Sequence, residues 1–243
     1  MKLTIKHYYS FGKRAENVGK NLLTDKSWDA IRIDDDNENT PFSIPKNRED
    51  WVKKCIANKD MADRAKAIGK FSKEKGFKKI ISFGVGACFM EYNLKNQYPD
   101  IILECSDFSP NSVERLKGIF TEADKIYVFD MLKDDFENEE GVLYLFHRLD
   151  TDFSNSQWKD IFERASRMGI NNILFVPGAI DTLKSLTKMI LGKWYQIIFK
   201  RSKLSFAGYL RNKSALKNIF NNYYRLSEEF KIGDLTGFYL NIK

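Results

Sequence analysis

Three successive stretches of the chain each end an apolar run with glycines or a carboxylate, residue types that can meet a polar ligand. In ISFGVGACFME, Gly84 and Gly86 follow one such run and open a helical pattern. Glycine there permits a tight turn and leaves backbone amides open to a ligand with no Cβ in the way. In ECSDFSP, Asp107 ends the second run, where a carboxylate can accept from both hydroxyls of a ribose. In KIYVFDM, Asp130 ends the third, where a carboxylate can accept from an exocyclic ring amine while a neighbouring amide caps the ring. Singly these are ordinary features, a tight turn and two acids at loops or helix caps. In order, at three consecutive strand ends, they are far more specific. Phe89 stands where a GxGxxG dinucleotide motif needs its third glycine, which argues against NAD or FAD.

Regular elements must place these residues side by side, and the patterning supplies them. KKIISFG, IILECSDF, KIYVFD, GVLYLFH and NNILFVPG read as short strands, apolar throughout. Between them lie helical periods: ACFMEYNLKNQYP, SNSQWKDIFERASRMG, and SPNSVERLKGIF with Ser109 as N-cap and Pro110 at the first helical position. Apolar strands alternating with helices predict a parallel sheet covered on both faces, and right-handed crossovers make it doubly wound. NYYRLSEEFKIGDLTGFYLNIK reads instead as two strands joined around Ile232-Gly233-Asp234, an antiparallel hairpin. Upstream, DDDNENTPFSIPKNRED marks a loop, and the stretch from Trp51 carries one helical pattern that Gly76 ends.

Composition narrows the class further. The 243 residues suffice for one large domain or one with a small appendage. The polar start MKLTIKHYYSFGKR shows no signal peptide and no apolar run spans a bilayer, so a soluble, cytoplasmic protein is expected. Cys55, Cys88 and Cys105 are widely spaced, and the only histidines are His7 and His147. That excludes a disulfide framework and a zinc or histidine-rich centre; no metal is expected. The net charge is +7, but from Thr182 to Ser227 there is no acid and there are ten Lys and Arg residues. Such a stretch favours anionic partners, the alternative being a solvated face.

On ISFGVGACF, SDFSP, VFDM and the terminal hairpin LSEEFKIGDLTGFYLNIK, the chain from Phe77 to Lys243 resembles the class I S-adenosylmethionine-dependent methyltransferases. The resemblance implies a Rossmann-like α/β sheet of about seven strands in the order 3-2-1-4-5-7-6, the last strand antiparallel. It implies S-adenosylmethionine held by Ser82, Gly84, Gly86, Asp107, Phe108, Asp130 and Met131. Residues 1–76 would form a mostly helical cap or lid, with Tyr8, Tyr9, Phe11 and Trp51 folding over the cofactor or packing in the core. Residues 77–243 would form the methyltransferase domain, with a basic helical insert at about 179–221. Two positions depart from the family pattern. Ser82 replaces the usual acid two residues before the first glycine, and Cys88 the third glycine of GxGxG. Glu91 reads as a solvated helix residue, or as an acid folding back toward the loop.

In that fold the end of the fourth strand faces the transferred methyl group, and here it offers His147, Arg148, Asp150 and Asp152. His147 is the expected base for an acceptor that must lose a proton, because its ordinary pKa is near neutrality. The expected activity is methyl transfer to a small polar or saccharide acceptor, an anionic one if the basic insert holds it. An RNA methyltransferase using the insert on phosphates is the alternative, although no N/D-P-P-[FYW] motif is present. A non-catalytic cofactor-binding scaffold, docking peripherally on an anionic membrane or partner, is the third reading.

Overall fold

The computed structural model describes residues 1–9, 20–33, 42–178, 180–182, 184–185, 187, 190–192 and 204–243. In chain order its elements are β1 (Thr4–Tyr9), α1 (Asp25–Arg32), α2 (Arg48–Ala57), α3 (Lys59–Lys75), β2 (Lys79–Phe83), α4 (Phe89–Gln97), β3 (Ile102–Asp107), α5 (Pro110–Ile119), β4 (Lys125–Val128), β5 (Val142–His147), α6 (Asn155–Arg167), β6 (Ile173–Val176), β7 (Ser205–Arg211), α7 (Lys213–Phe220), β8 (Tyr224–Ile232) and β9 (Leu235–Ile242).

Seven strands form the main sheet in the order β4-β3-β2-β5-β6-β9-β8. The five from β4 to β6 run parallel, and β9 lies antiparallel between β6 and β8. This is the expected order with its reversed last strand. The continuous apolar runs have a plain cause, since successive side chains of a strand point to opposite faces and both faces here are covered. Leu143 and Leu145 of β5 join the core under α3, α4 and α5, whereas Tyr144 and Phe146 join the aromatic core under α6 and α7.

Local signals set the element ends. Ser109 accepts from the Ser112 amide ahead of Pro110, and Gly76, at φ 79°, closes α3 in the left-handed conformation. The single helix expected between Trp51 and Gly76 is two. Asn58 ends α2 and caps α3 by accepting from the Met61 amide at 3.3 Å, because a short amide side chain bonds a free helical N–H better than it continues the helix.

The N-terminal part is mostly helical, as expected, but it opens with β1, which pairs antiparallel with β7. The insert was expected to be helical over about 179–221, and that is corrected within it: Ser205–Arg211 is a strand. Its partner lies some two hundred residues away in sequence, and inter-strand bonds to β1 outweigh the local helical spacing. Lys188, Lys193, Trp194, Tyr195, Phe199, Lys200, Arg201 and Lys203 lie outside the described residues, as does Phe11. Among the described residues no helix is long and apolar enough to cross a membrane.

Candidate active site

The carboxyl ends of β2, β3, β4 and β5 meet at one edge of the sheet, where ligands of open α/β sheets bind. At the tip of β2, Gly84 and Gly86 hold φ of 61° and 59°. The positive φ favours glycine at 84, where a Cβ would lie 2.3 Å from the end of the Leu149 side chain and displace it. Cys88, in place of a third glycine, also takes a left-handed conformation (φ 57°), and its side chain is fully buried. The loop is fastened from below: the Val85 amide donates to Ser106 O at 3.1 Å and the Trp51 indole N–H to Ala87 O at 2.9 Å. Trp51 is completely buried against Tyr92 and Phe120, so it supports the loop from within the core rather than folding over it as a lid.

Ser82 is buried beneath this turn, and its hydroxyl donates to Glu91 Oε1 at 2.8 Å. Glu91 is 2 % exposed, which overturns its reading as a solvated helix residue. Burial pushes its pKa up to about 7, opposed by the Ser82 hydroxyl and a backbone amide. An acid from α4 thus reaches Ser82, the position at which the family pattern carries its own. A small hydroxyl at 82 with a glutamate nine residues on was the available signal.

Asp107 is 1 % exposed at the tip of β3, and backbone amides aim it. Gly86 N–H donates to Oδ2 at 3.0 Å and Ser109 N–H to Oδ1 at 3.1 Å. A third donor was not foreseen: Arg32, the last residue of α1, reaches Oδ1 with Nη1 at 3.0 Å. The Trp28 ring lies 4.6 Å from its guanidinium. Asp29 takes the Ser109 hydroxyl and the Asn111 amide, fixing α1 across the start of α5. A Cβ on Gly86 would find only Arg32 nearby, its Nη2 at 3.4 Å. Phe108 is half-buried beside Asp107.

Asp130 stands at the tip of β4. Its Oδ1 accepts from the Leu132 amide at 2.9 Å and its Oδ2 lies 2.7 Å from the exposed Lys133. Met131 is buried, and Phe129 packs on Phe83 and Phe136. The seven residues expected to hold a cofactor therefore lie at or directly under three adjacent strand tips.

The loop after β5 forms the facing wall. Leu149 covers Gly84, and Asp150 accepts from the Gly178 amide at 2.6 Å. β7 clamps this loop. Arg211, with no exposed surface, donates to the carbonyls of Asp150 and Phe153 and to Asn155 Oδ1, and the Tyr209 amide donates to Thr151 O at 2.8 Å. Asp152 accepts from the Thr151 hydroxyl at 2.9 Å. Desolvation pushes its pKa up to about 7, against the Thr151 bond, with Asp150 and Asp107 adding to the rise and Arg32 opposing it. His147 differs from expectation: burial, with Arg148 and Arg64 nearby, pushes it down to about 3. It is a neutral imidazole at pH 7, and the titration that recommended it as a base does not occur there.

Among the described cations of the acid-free run, Arg211, Lys213 and Lys217 have structural partners. Arg211 is buried on the β5 loop, and Lys213 and Lys217 both pair with Glu229, outside the run.

This fold is that of the class I S-adenosylmethionine-dependent methyltransferases. No protein-family model matches the chain, and no curated protein matches it in sequence. Among solved structures it is similar to mitomycin 7-O-methyltransferase, with a TM-score of 0.56, 13 % identity, and 79 % of this chain and 56 % of that one covered. It is similar to human N-acetylserotonin methyltransferase in complex with S-adenosylmethionine (TM-score 0.51, 18 % identity, 70 % and 48 % covered). A third is the O-methyltransferase of neocarzinostatin biosynthesis with S-adenosylmethionine and 2-hydroxy-5-methyl naphthoic acid (TM-score 0.51, 13 % identity, 70 % and 50 % covered). At these identities the likeness is one of fold, and the chain spans about half the length of these neighbours.

The strand tips suit the cofactor of that fold. Asp107 is pre-aimed by two amides, Gly86 leaves a cradle with no Cβ, and Met131 with Phe129 supplies an apolar wall. The guanidinium of Arg32 pairs with the Asp107 carboxylate and lies over Gly86.

Proposed function

We propose that the chain is an S-adenosylmethionine-dependent methyltransferase acting on an oxygen of a small polar acceptor. The observation that carries this reading is the bond from Gly86 N–H to Asp107 Oδ2, which joins the glycine turn and the strand-end acid into one prearranged nucleoside site. In this reading Asp107 accepts from the ribose hydroxyls, Phe108 and Met131 border the adenine, and Asp130 accepts from its amine. Gly84 and Gly86 bring the loop amides close, and Ser82 with Glu91 supports them. The bound cofactor supplies an activated methyl group, so the protein's task is positioning and control of a proton.

That proton is assigned to Asp152. A hydroxyl acceptor loses its proton on transfer, and a base works best when its pKa is near the working pH. Asp152 meets that condition and feels the charges of Arg32 and Asp107 across the crevice. Asp150 is held by the Gly178 amide, and His147, its pKa pushed down to about 3, is too weak a base near neutral pH. An O-methyltransferase neighbour whose ligand combines a hydroxyl with a carboxylate supports a small acceptor of this kind. The RNA reading loses support because Arg211, Lys213 and Lys217 are engaged within the fold.

The test has two arms. Calorimetry with S-adenosylhomocysteine should show one site per chain, and its absence would overturn the donor assignment. Labelled donor incubated with fractionated cell extract should mark a small-molecule fraction. Label in RNA alone would exclude the acceptor assignment.

A further inference from the structure

Arg148 follows the last residue of β5 and is held in the left-handed region at φ 61°, although it has a Cβ. Non-glycine residues adopt that conformation at a cost, and such strain gathers where a side chain must be aimed. Two contacts hold it. Its amide donates to Val176 O at 2.7 Å, and its stem lies against Gly178, where a Cβ would come within 3.5 Å of Arg148 Nε and 3.7 Å of its Cβ. The Arg148 stem thus runs alongside the backbone at Gly178. Arg148 is exposed, with Arg64 close enough that their like charges repel.

Among the described residues the guanidinium has no hydrogen bond or ion pair. Every nearby acid has another partner: Asp234 bonds Arg64 at 2.8 and 3.1 Å, Asp150 the Gly178 amide, and Asp152 the Thr151 hydroxyl. Beside it, His147 Nε2 is buried with no hydrogen-bond partner in the described structure. An exposed cation with no counter-ion among the described residues thus stands beside a buried, unmatched imidazole nitrogen, and buried polar atoms are ordinarily matched.

We propose that Arg148 is the anion-binding residue of the acceptor site and takes a carboxylate or phosphate group of the acceptor. The inference rests on the methyl-transfer reading for the word acceptor, while the anion site stands on its own geometry. The guanidinium fork matches both anions by paired N–H donors, and it lies at the carboxyl ends of β5 and β6, on the acceptor side of the crevice. It also shifts anion recognition from the insert lysines, as expected from charge alone, to one aimed side chain.

The full chain would be titrated separately with inorganic phosphate and with benzoate by calorimetry, as wild type, Arg148→Lys and Arg148→Gly. At least one anion should bind the wild type, and binding should weaken about tenfold or more in Arg148→Gly, consistent with loss of a charged hydrogen bond. Arg148→Lys should lie between. Phosphate alone binding points to a phosphorylated acceptor, and benzoate alone to a carboxylate. Because glycine relieves the backbone strain, Arg148→Gly should also melt at or above the wild-type Tm. Binding of neither anion, equal binding by Arg148→Gly, or a lowered Tm in that variant would each overturn the proposal. S-adenosylhomocysteine titrated into the same samples keeps the two readings apart: its binding should not depend on Arg148, and its failure in the wild type removes the donor assignment only.

Discussion

Arg32 Nη1 lies 3.0 Å from Asp107 Oδ1, a buried ion pair between the end of the N-terminal helix α1 and the acid at the tip of β3. Oδ1 already accepts from Ser109, so in the proposed reading the guanidinium takes a lone pair that a ribose hydroxyl would otherwise use. Trp28 and Asp29 hold α1 in that position. The first helix is therefore tied to the tip of β3 by a buried ion pair.

Removing the competitor should favour a nucleoside. Arg32→Ala is expected to bind 5′-methylthioadenosine roughly three- to tenfold more tightly, on the ~1–1.5 kcal/mol usual for a hydrogen-bonded charge. Calorimetry decides it, and weaker binding would mean that Arg32 contacts the nucleoside itself. Asp107→Ala should weaken the same ligand about tenfold or more, by leaving buried donors unpaired.

The assignment of the base makes a pH prediction. Asp152 acts only when ionised, so activity should rise with pH through about 7 and level off above it. The groups facing it are Thr151, Asp150, Arg32 and Asp107. Asp152→Asn should lower turnover by roughly 10²- to 10³-fold and abolish that limb. His147→Asn should keep it, since a neutral imidazole has no titration near 7 to lose. A pH–rate profile in which the histidine variant lost the limb and the aspartate variant kept it would reverse the assignment.

Glu91 makes stability depend on pH. Its folded-state pKa of about 7 lies above the ordinary value of 4.5, so the native state holds the proton more firmly than the unfolded chain does. Its contribution is fully present below about pH 4.5 and declines as pH rises through 7. Glu91→Gln keeps an acceptor for Ser82 without the charge. Relative to wild type it should gain stability between pH 5 and 8, by at most about 3 kcal/mol. Urea unfolding at both pH values measures this, and parallel curves would show that Glu91 is not desolvated.

Gly208 tests the clamp on the β5 loop. It sits at φ 103°, and a Cβ there would come within 2.1 Å of Thr151 O. Gly208→Ala should destabilise the protein by roughly 2–4 kcal/mol, because backbone must move to admit the methyl group. A thermal shift within a degree of wild type would mean that β7 does not press on that loop.

The strands, their alternation with helices and the terminal hairpin were legible in the sequence because each is a local pattern: apolar runs, a Ser-Pro helix start, a glycine stop. The order of Gly84, Gly86, Asp107 and Asp130 was legible too, since strand-end positions in such a sheet converge by topology alone. What lay beyond local pattern was decided by tertiary structure. Ser205–Arg211 became a strand because β1 was there to pair with it. Glu91 and His147 have ordinary side chains whose surroundings, burial and neighbouring charge, shift them in opposite directions. Arg32 reached Asp107 across seventy-five residues. Local preference is written residue by residue, whereas desolvation and ion pairing depend on what the chain brings close from far away.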